Sequence, residues 1–317
     1  MAKGKIFVRS DIGIEVKAQT EQGTYVDPDQ ILCVERGKLD EPKIEVNGDT
    51  VTCTTGTRIS FLEQVDGSKV TFAIEAALPV GSKMGGLKDL IAACGVSVGD
   101  DGSGNPTFEP ILDGVLPVSA EFTEKRRTTK VRDAYGNVTA SFTSGKMVYI
   151  KCEMSGVLEE DPTELAAADA DNAIPKNILS PDTDIVWMAR KCGVDMGGTT
   201  LYLTEASFDN GVSSNDVDTA CGVLPTMEYL DPSLSLSFRE TEENEASFQA
   251  LKNGTEFAVT IPLYKKDGSD AGSFTASKCV AVEPDDRSDD NGYRAATRKF
   301  QLRETSGNDN YLATVKG

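Results

Sequence analysis

Residues 233–238 read Ser233-Leu234-Ser235-Leu236-Ser237-Phe238, SLSLSF. Polar and apolar residues alternate strictly, so an extended chain puts Leu234, Leu236 and Phe238 on one face and the three serines on the other. A strand with one dry and one wet face is the unit of antiparallel sandwiches and barrels. The same period recurs along the chain. Residues 69–75 group Val70, Phe72 and Ile74, and residues 255–261 group Phe257, Val259 and Ile261. In residues 146–154, Val148, Ile150, Cys152 and Met154 oppose Met147, Tyr149 and Lys151.

Helical patterns are few and short. Residues 87–95, LKDLIAACG, carry apolar side chains at 87, 90, 91 and 94 and end on a glycine stop. Residues 245–254 repeat the idea with Phe248, Leu251 and Gly254. The expected fold class is all-β, mainly an antiparallel β-sandwich or barrel, with two short flanking helices. The order of features also repeats. Cys53, in NGDTVTCTTG, precedes a strand around Phe72, the helix at 87–94 and extended chain to Met154. Cys221, in SNDVDTACG, precedes the strand around Phe238, a helix at 246–253 and strands at 255–263 and 297–303. This points to a structural unit used twice, with Cys53 and Cys221 at equivalent loop–strand junctions. A catalytic reading of Cys221 is disfavoured, because Asp216 and Asp218 beside it would raise the thiol pKa.

Composition narrows the chemistry. A length of 317 residues suggests about two domains. Thirty-two basic against 51 acidic residues give a net charge of −19, which opposes phosphate binding and attraction to anionic membranes. The chain contains no histidine, and so lacks the commonest general base, zinc ligand and partner of a nucleophile. The seven cysteines, at 33, 53, 94, 152, 192, 221 and 279, form no CxxC pair, so neither zinc nor dithiol chemistry is expected of them. The opening MAKGKIFVRS has no apolar stretch of signal-peptide length and no run reaches the length of a membrane span, so the cysteines are expected reduced, in a cytosolic product.

Other motifs have plain readings. GSKMGG at 81–86 lacks the Lys-Ser/Thr ending of a phosphate loop and reads as a strand-to-helix connection. The oxygen-rich stretches 100–105 and 285–292 lack the glutamate of a calcium loop and read as hairpin tips. The basic cluster Lys125-Arg126-Arg127-Thr128-Thr129-Lys130, with Arg132, has no interleaved aromatics and is assigned to subunit pairing.

Residues 142–158, FTSGKMVYIKCEMSGVL, with the acidic linker EEDPT after them, resemble a segment of the major tail tube proteins of bacteriophages with long flexible tails. Residues 201–212, LYLTEASFDNGV, resemble the strand that opens the C-terminal half of that family, and Gly23-Thr24-Tyr25 and residues 87–95 fit less specifically. Residues 181–193, with the single tryptophan Trp187, match nothing in it. The resemblance implies a non-enzymatic virion protein, without cofactor or metal, that stacks in rings to form the channel for DNA ejection. It implies two tandem tail-tube domains, taken as 1–165 and 201–317 with an uncertain linker at 166–200. The implied partners are further copies of the chain, as a trimeric ring with pseudo-sixfold symmetry in preference to a hexamer, other tail proteins, and DNA passing without specific binding. No membrane is involved; assembly is expected in the host cytoplasm and residence in the virion tail.

Segments 40–59 and 210–226 are polar and turn-rich and are expected to reach an adjacent ring as hairpins or loops. Asp49, Thr54, Arg58, Asn215, Asp216 and Asp218 are their contact candidates, joined by Arg126 and Arg127 of the basic cluster. Two alternatives share the acidic, β-rich profile. One is another virion or surface structural module, such as a capsid decoration protein or adhesin. The other is a carboxylate hydrolase built on Glu240, Glu242 and Glu243, against which those residues read as a solvated turn at a helix start.

Overall fold

The computed structural model describes residues 12–317 apart from 33, 35–37, 40, 46–47, 53–57, 63–67, 112, 125–126, 161, 165–178, 189–192, 220–221, 242–253, 284–285, 291 and 306–308. For 48–52, 58–62, 164, 214–219, 222–225, 228–229 and 290 it describes the backbone.

Strands dominate. The first half holds β1 (Ile12–Ala18), β2 (Gln30–Ile31), β3 (Lys43–Glu45), β4 (Gly48–Thr52), β5 (Arg58–Leu62), β6 (Lys69–Ala77), helix α1 (Leu87–Ala92), β7 (Val96–Asp100), β8 (Pro106–Pro110), β9 (Val118–Glu124), β10 (Arg127–Thr143), β11 (Tyr149–Leu158) and β12 (Thr163–Glu164). There follow β13 (Gly193–Met196), β14 (Thr199–Asp209), β15 (Val212–Thr219), β16 (Gly222–Leu230), β17 (Ser233–Arg239), β18 (Phe257–Tyr264), β19 (Asp270–Ala281), β20 (Asp286–Asp290), β21 (Tyr293–Leu302) and β22 (Leu312–Val315). The fold is all-β and antiparallel, as the alternation requires. The SLSLSF stretch is β17, with Leu234, Leu236 and Phe238 buried. In β11, Ile150, Cys152 and Met154 are buried while Lys151 and Glu153 face water.

The first half is a curled sheet in the order β3–β6–β11–β10–β9–β1–β2. Its curl brings Phe72 of β6 against Phe122 of β9, edge to face, with ring centroids 4.9 Å apart. Helix α1 lies beside β1 and buries Leu87, Leu90 and Ile91, the face read from the sequence; Asp89 also accepts the Ala18 N–H at 3.1 Å. The second half is a closed six-stranded barrel: β14–β17–β21–β19–β18–β13 and back to β14. Closure leaves none of those six strands as an open edge.

One long strand belongs to both parts. The first residues of β10 pair with β9, and Thr139 to Thr143 pair with Asp209 to Glu205 of β14. Between them β10 carries a bulge, where the register shifts against both β9 and β11. The bulge centres on Asp133, whose φ of 52° makes it the sole non-glycine residue with positive φ among the described residues. Its buried carboxylate accepts the Gly23 N–H at 2.7 Å and pairs with Arg132 at 2.8 Å. Further joints tie the halves. β22 lies between β8 and β19, and Trp187 bridges Met147 to Tyr264. The sheet thus runs across the 166–200 division, and β13 with the start of β14 lies inside that segment. A single apolar core follows it, with Phe142, Phe208, Phe274 and Tyr311 clustered where the parts meet. The expected helix at 246–253 lies outside the described residues, and no repeat of the first half's curled sheet is seen in the closed barrel.

Candidate assembly site

Two hairpins form separate two-stranded sheets outside the main one, and the second of them lies against β10 and β11. In the first arm, β4 pairs with β5 from Gly48↔Leu62 to Thr52↔Arg58. The register places Asp49 and Val51 with Ile59 and Phe61 on one face, and Thr50, Thr52, Arg58 and Ser60 on the other. In the second arm, β15 pairs with β16 from Val212↔Leu230 to Thr219↔Gly222. Asp216 and Asp218 share one face of it and Asn215 lies on the other. The tips, with Thr54, Cys53 and Cys221, lie outside the described residues. Each of the segments 40–59 and 210–226 overlaps one of these hairpins, although 40–59 also holds β3, which pairs with β6 in the main sheet, and five of the six candidate contacts have a defined strand position.

The root of the second arm is built with particular care. Asn210 is fully buried: its Nδ2 donates to the Cys94 carbonyl at 2.7 Å and its Oδ1 accepts from the Tyr311 hydroxyl at 2.9 Å. Burial pushes the Tyr311 hydroxyl pKa far up, so the group stays a donor. Asn137 donates to Asp209 at 2.6 Å and accepts the Val212 N–H at 3.0 Å. Val212, Met227 and Leu230 close over Gly95, where a Cβ would lie 2.7 Å from Met227 Cε. With φ of 76°, Gly95 serves both the tight end of α1 and this packing. Sequence reading did not single out Asn210 or Asn137; the Asn-Gly pair at 210–211, a turn signal, was the one available clue.

Between the arm roots, on the outer face of β6, β11 and β10, runs an open cleft of about 550 Å³. Thr71, Ala73 and Gly136 form part of its floor, with Lys43 on the side of the first arm and Val212 on that of the second. Ser155 lines it, and its Oγ is buried with no hydrogen-bond partner.

A third feature is the edge at β7. The Ile111 N–H bonds to the Gly95 carbonyl and the Asp101 N–H to that of Asn105, so odd-numbered residues carry the bonds to β8. Pro106 and Pro110, without N–H groups, oppose Asp100 and Val96 in agreement. The N–H and C=O groups of Val96 and Val98 therefore point away from β8, and among the described strands β7 pairs with β8 alone. β20 pairs only with β21, but its sequence DRSDD is heavily charged, whereas VSVGD carries one charge and no proline.

Other candidates are placed differently. Arg127 opens β10 at an exposed position opposite Glu124, and Arg126 lies outside the described residues. Two further cations of that cluster are occupied within the chain: Lys130 pairs with Glu160 at 3.0 Å, and Arg132 with Glu159 at 2.7 Å. Glu240 bridges Arg287 and Arg294, each at 3.1 Å, as a member of an ion-pair network. Asp100 and Asp101 accept the backbone N–H groups of their own hairpin turn, and the bonds from Asn105 and Ser103 hold the Asp101 carboxyl below its usual pKa. A buried cation went unforeseen. Arg298, 1% exposed inside the closed barrel, lies with Cζ 5.2 Å from the Phe238 ring centre and a guanidinium N–H 3.7 Å from Met196 Sδ. No protein-family model matches the chain, and no curated protein matches it.

Proposed function

We propose that the chain is a structural virion protein that polymerises as stacked rings into a phage tail tube, the channel through which DNA is ejected. The observation that carries this reading is the pair of hairpins that lie outside the main sheet, with the cleft between their roots. An isolated two-stranded hairpin is marginal in water and gains stability when a face is covered. By register the first arm carries Asp49, Val51, Ile59 and Phe61 on one face, which a second copy would cover. The outer edge of β7 supports lateral association at Val98, because a strand from a neighbour can extend the sheet there, whereas Val96 is buried within the chain. The charge of −19 supports passage of DNA without specific binding.

In this reading the partners are further copies of the chain, with three per ring in pseudo-sixfold symmetry, and other tail proteins. The protein acts without catalysis or cofactor, assembles in the host cytoplasm and resides in the virion tail. Negative-stain electron microscopy of the concentrated protein tests it, with hollow tubes or stacked rings of regular axial period expected. Excision of 48–62 should leave rings that no longer stack. A chain that stays monomeric at high concentration and binds glycans would overturn the tube reading in favour of an adhesin-type module.

A further inference from the structure

The core leaves an internal space of about 70 Å³ where the curled sheet meets the barrel. Its walls come from both parts: Ala140 and Phe142 of β10, Ile150 of β11, Phe208 of β14, Phe274 of β19 and Val315 of β22. All six are buried, and among the described residues no polar atom faces the space. Tyr311 contributes its ring, while its hydroxyl is taken up by Asn210 Oδ1 at 2.9 Å. Water needs several polar partners and is not held here. The walls also resist collapse. The rings of Phe208 and Phe274 lie 5.0 Å apart between centroids, and both pack on Tyr311, at 4.7 and 5.6 Å. Rings wedged in this way hold one another, so the space persists instead of closing on itself.

We propose that this space is a binding site for one small apolar molecule, of the class of xenon, methane or cyclopropane. The inference is independent of ring assembly. Size sets the upper limit. A cavity of roughly 150 Å³ takes benzene as well as xenon, whereas about half that volume admits a single heavy noble-gas atom or a molecule of up to about three carbons. Chemistry selects within that limit. With no polar atom in reach, a hydroxyl or amine would give up its water partners without replacement, so a small alcohol is rejected. An apolar guest loses no hydrogen bond. It restores dispersion contacts that the facing side chains lack, and the three rings supply many of them. The walls run from Ala140 to Val315 in sequence, so only the folded chain assembles the site. Occupancy therefore stabilises the fold by mass action.

The experiment applies xenon at increasing pressure to the folded protein and follows its methyl groups by NMR. The Ala140, Ile150 and Val315 signals are expected to shift along a saturating curve, while those of Ile14 and Val16, buried but not lining the space, drift linearly. The unfolding temperature should rise by about 1–2 °C under xenon. Two variants separate the site from general solubility of the gas in the core. Ala140→Val, which puts carbon into the space, should weaken xenon by about tenfold or more. Leu263→Ala, which cuts back another wall, should let benzene raise the unfolding temperature of the variant and not of the parent. Either variant serves if the other fails to fold. Linear shifts at every methyl, saturation centred on other residues, or a water cross-peak at the Ala140 methyl would each overturn the proposal. So would an unchanged xenon affinity in folded Ala140→Val, or no gain of benzene binding in folded Leu263→Ala.

Discussion

Asp133 adopts a left-handed backbone conformation that most side chains avoid, and it does so with a buried carboxylate. Aspartate and asparagine tolerate this region better than other residues, and here Gly23 and Arg132 satisfy the charge. Asp133→Ala should cost about 2–4 kcal/mol through lost hydrogen bonds and backbone strain, and Asp133→Asn clearly less. Urea titration of both variants checks this, and equal costs would show that charge, not conformation, dominates. Glu15 presents the opposite situation, because it lies directly across from Glu121 on β9. Partial burial, then Glu121 and Asp29, push its carboxyl pKa above the usual value. A raised carboxyl means that the native state binds its proton more tightly than the unfolded chain, so stability falls as pH rises through that range. Glu15→Gln should therefore stabilise the protein at pH 7 by a few tenths of a kcal/mol, since solvent screens the repulsion. The advantage should vanish as pH falls below the ordinary carboxylate range.

The elements differ in how much of them the sequence discloses. β6, β11, β17 and β18 announce themselves by alternation, because each has one face in the core and one in water. α1 is legible from four apolar positions and a glycine. The hairpin arms are legible as polar, turn-rich segments, yet their roots are not: Asn210 is joined to Cys94 and Tyr311, each about a hundred residues away in sequence. The same limit hid Arg298, which reads as an ordinary charge on β21 until the barrel closes around it. Asn210→Ala should leave a buried carbonyl and hydroxyl without partners, at about 2–4 kcal/mol, and expose the second arm to proteolysis at its root. On β7, two proline substitutions separate edge from fold. Val98→Pro removes an N–H that points away from β8 and should fold normally but fail to form rings. Ser97→Pro removes one directed at β8 and should destabilise the body itself, which thermal unfolding beside electron microscopy would distinguish.

At the scale of the whole molecule, the two parts share β10, β22 and one core, and the core is not quite full. An apolar void of about 70 Å³ lies where they meet, lined by Ala140, Phe142, Phe208, Phe274, Tyr311 and Val315 among others. A void of this kind stays dry and forfeits dispersion contacts on its walls. Ala140→Val should recover about 1 kcal/mol by adding apolar volume on a strand that favours β-branching. A lower unfolding temperature would mean that the space cannot take a methyl group without strain.

The position of β22 sets a schedule for the newborn chain. Phe108 of β8 must wait for Ala313, about two hundred residues further on. At roughly 5–20 residues per second that interval is on the order of 10–40 seconds of translation. Throughout it the β7–β8 hairpin leaves the ribosome with both of its flanks open to any other nascent chain on the same message. Dense polysomes making this protein are thus where mispairing between neighbours should concentrate, and slowing initiation should raise the soluble yield more than slowing elongation.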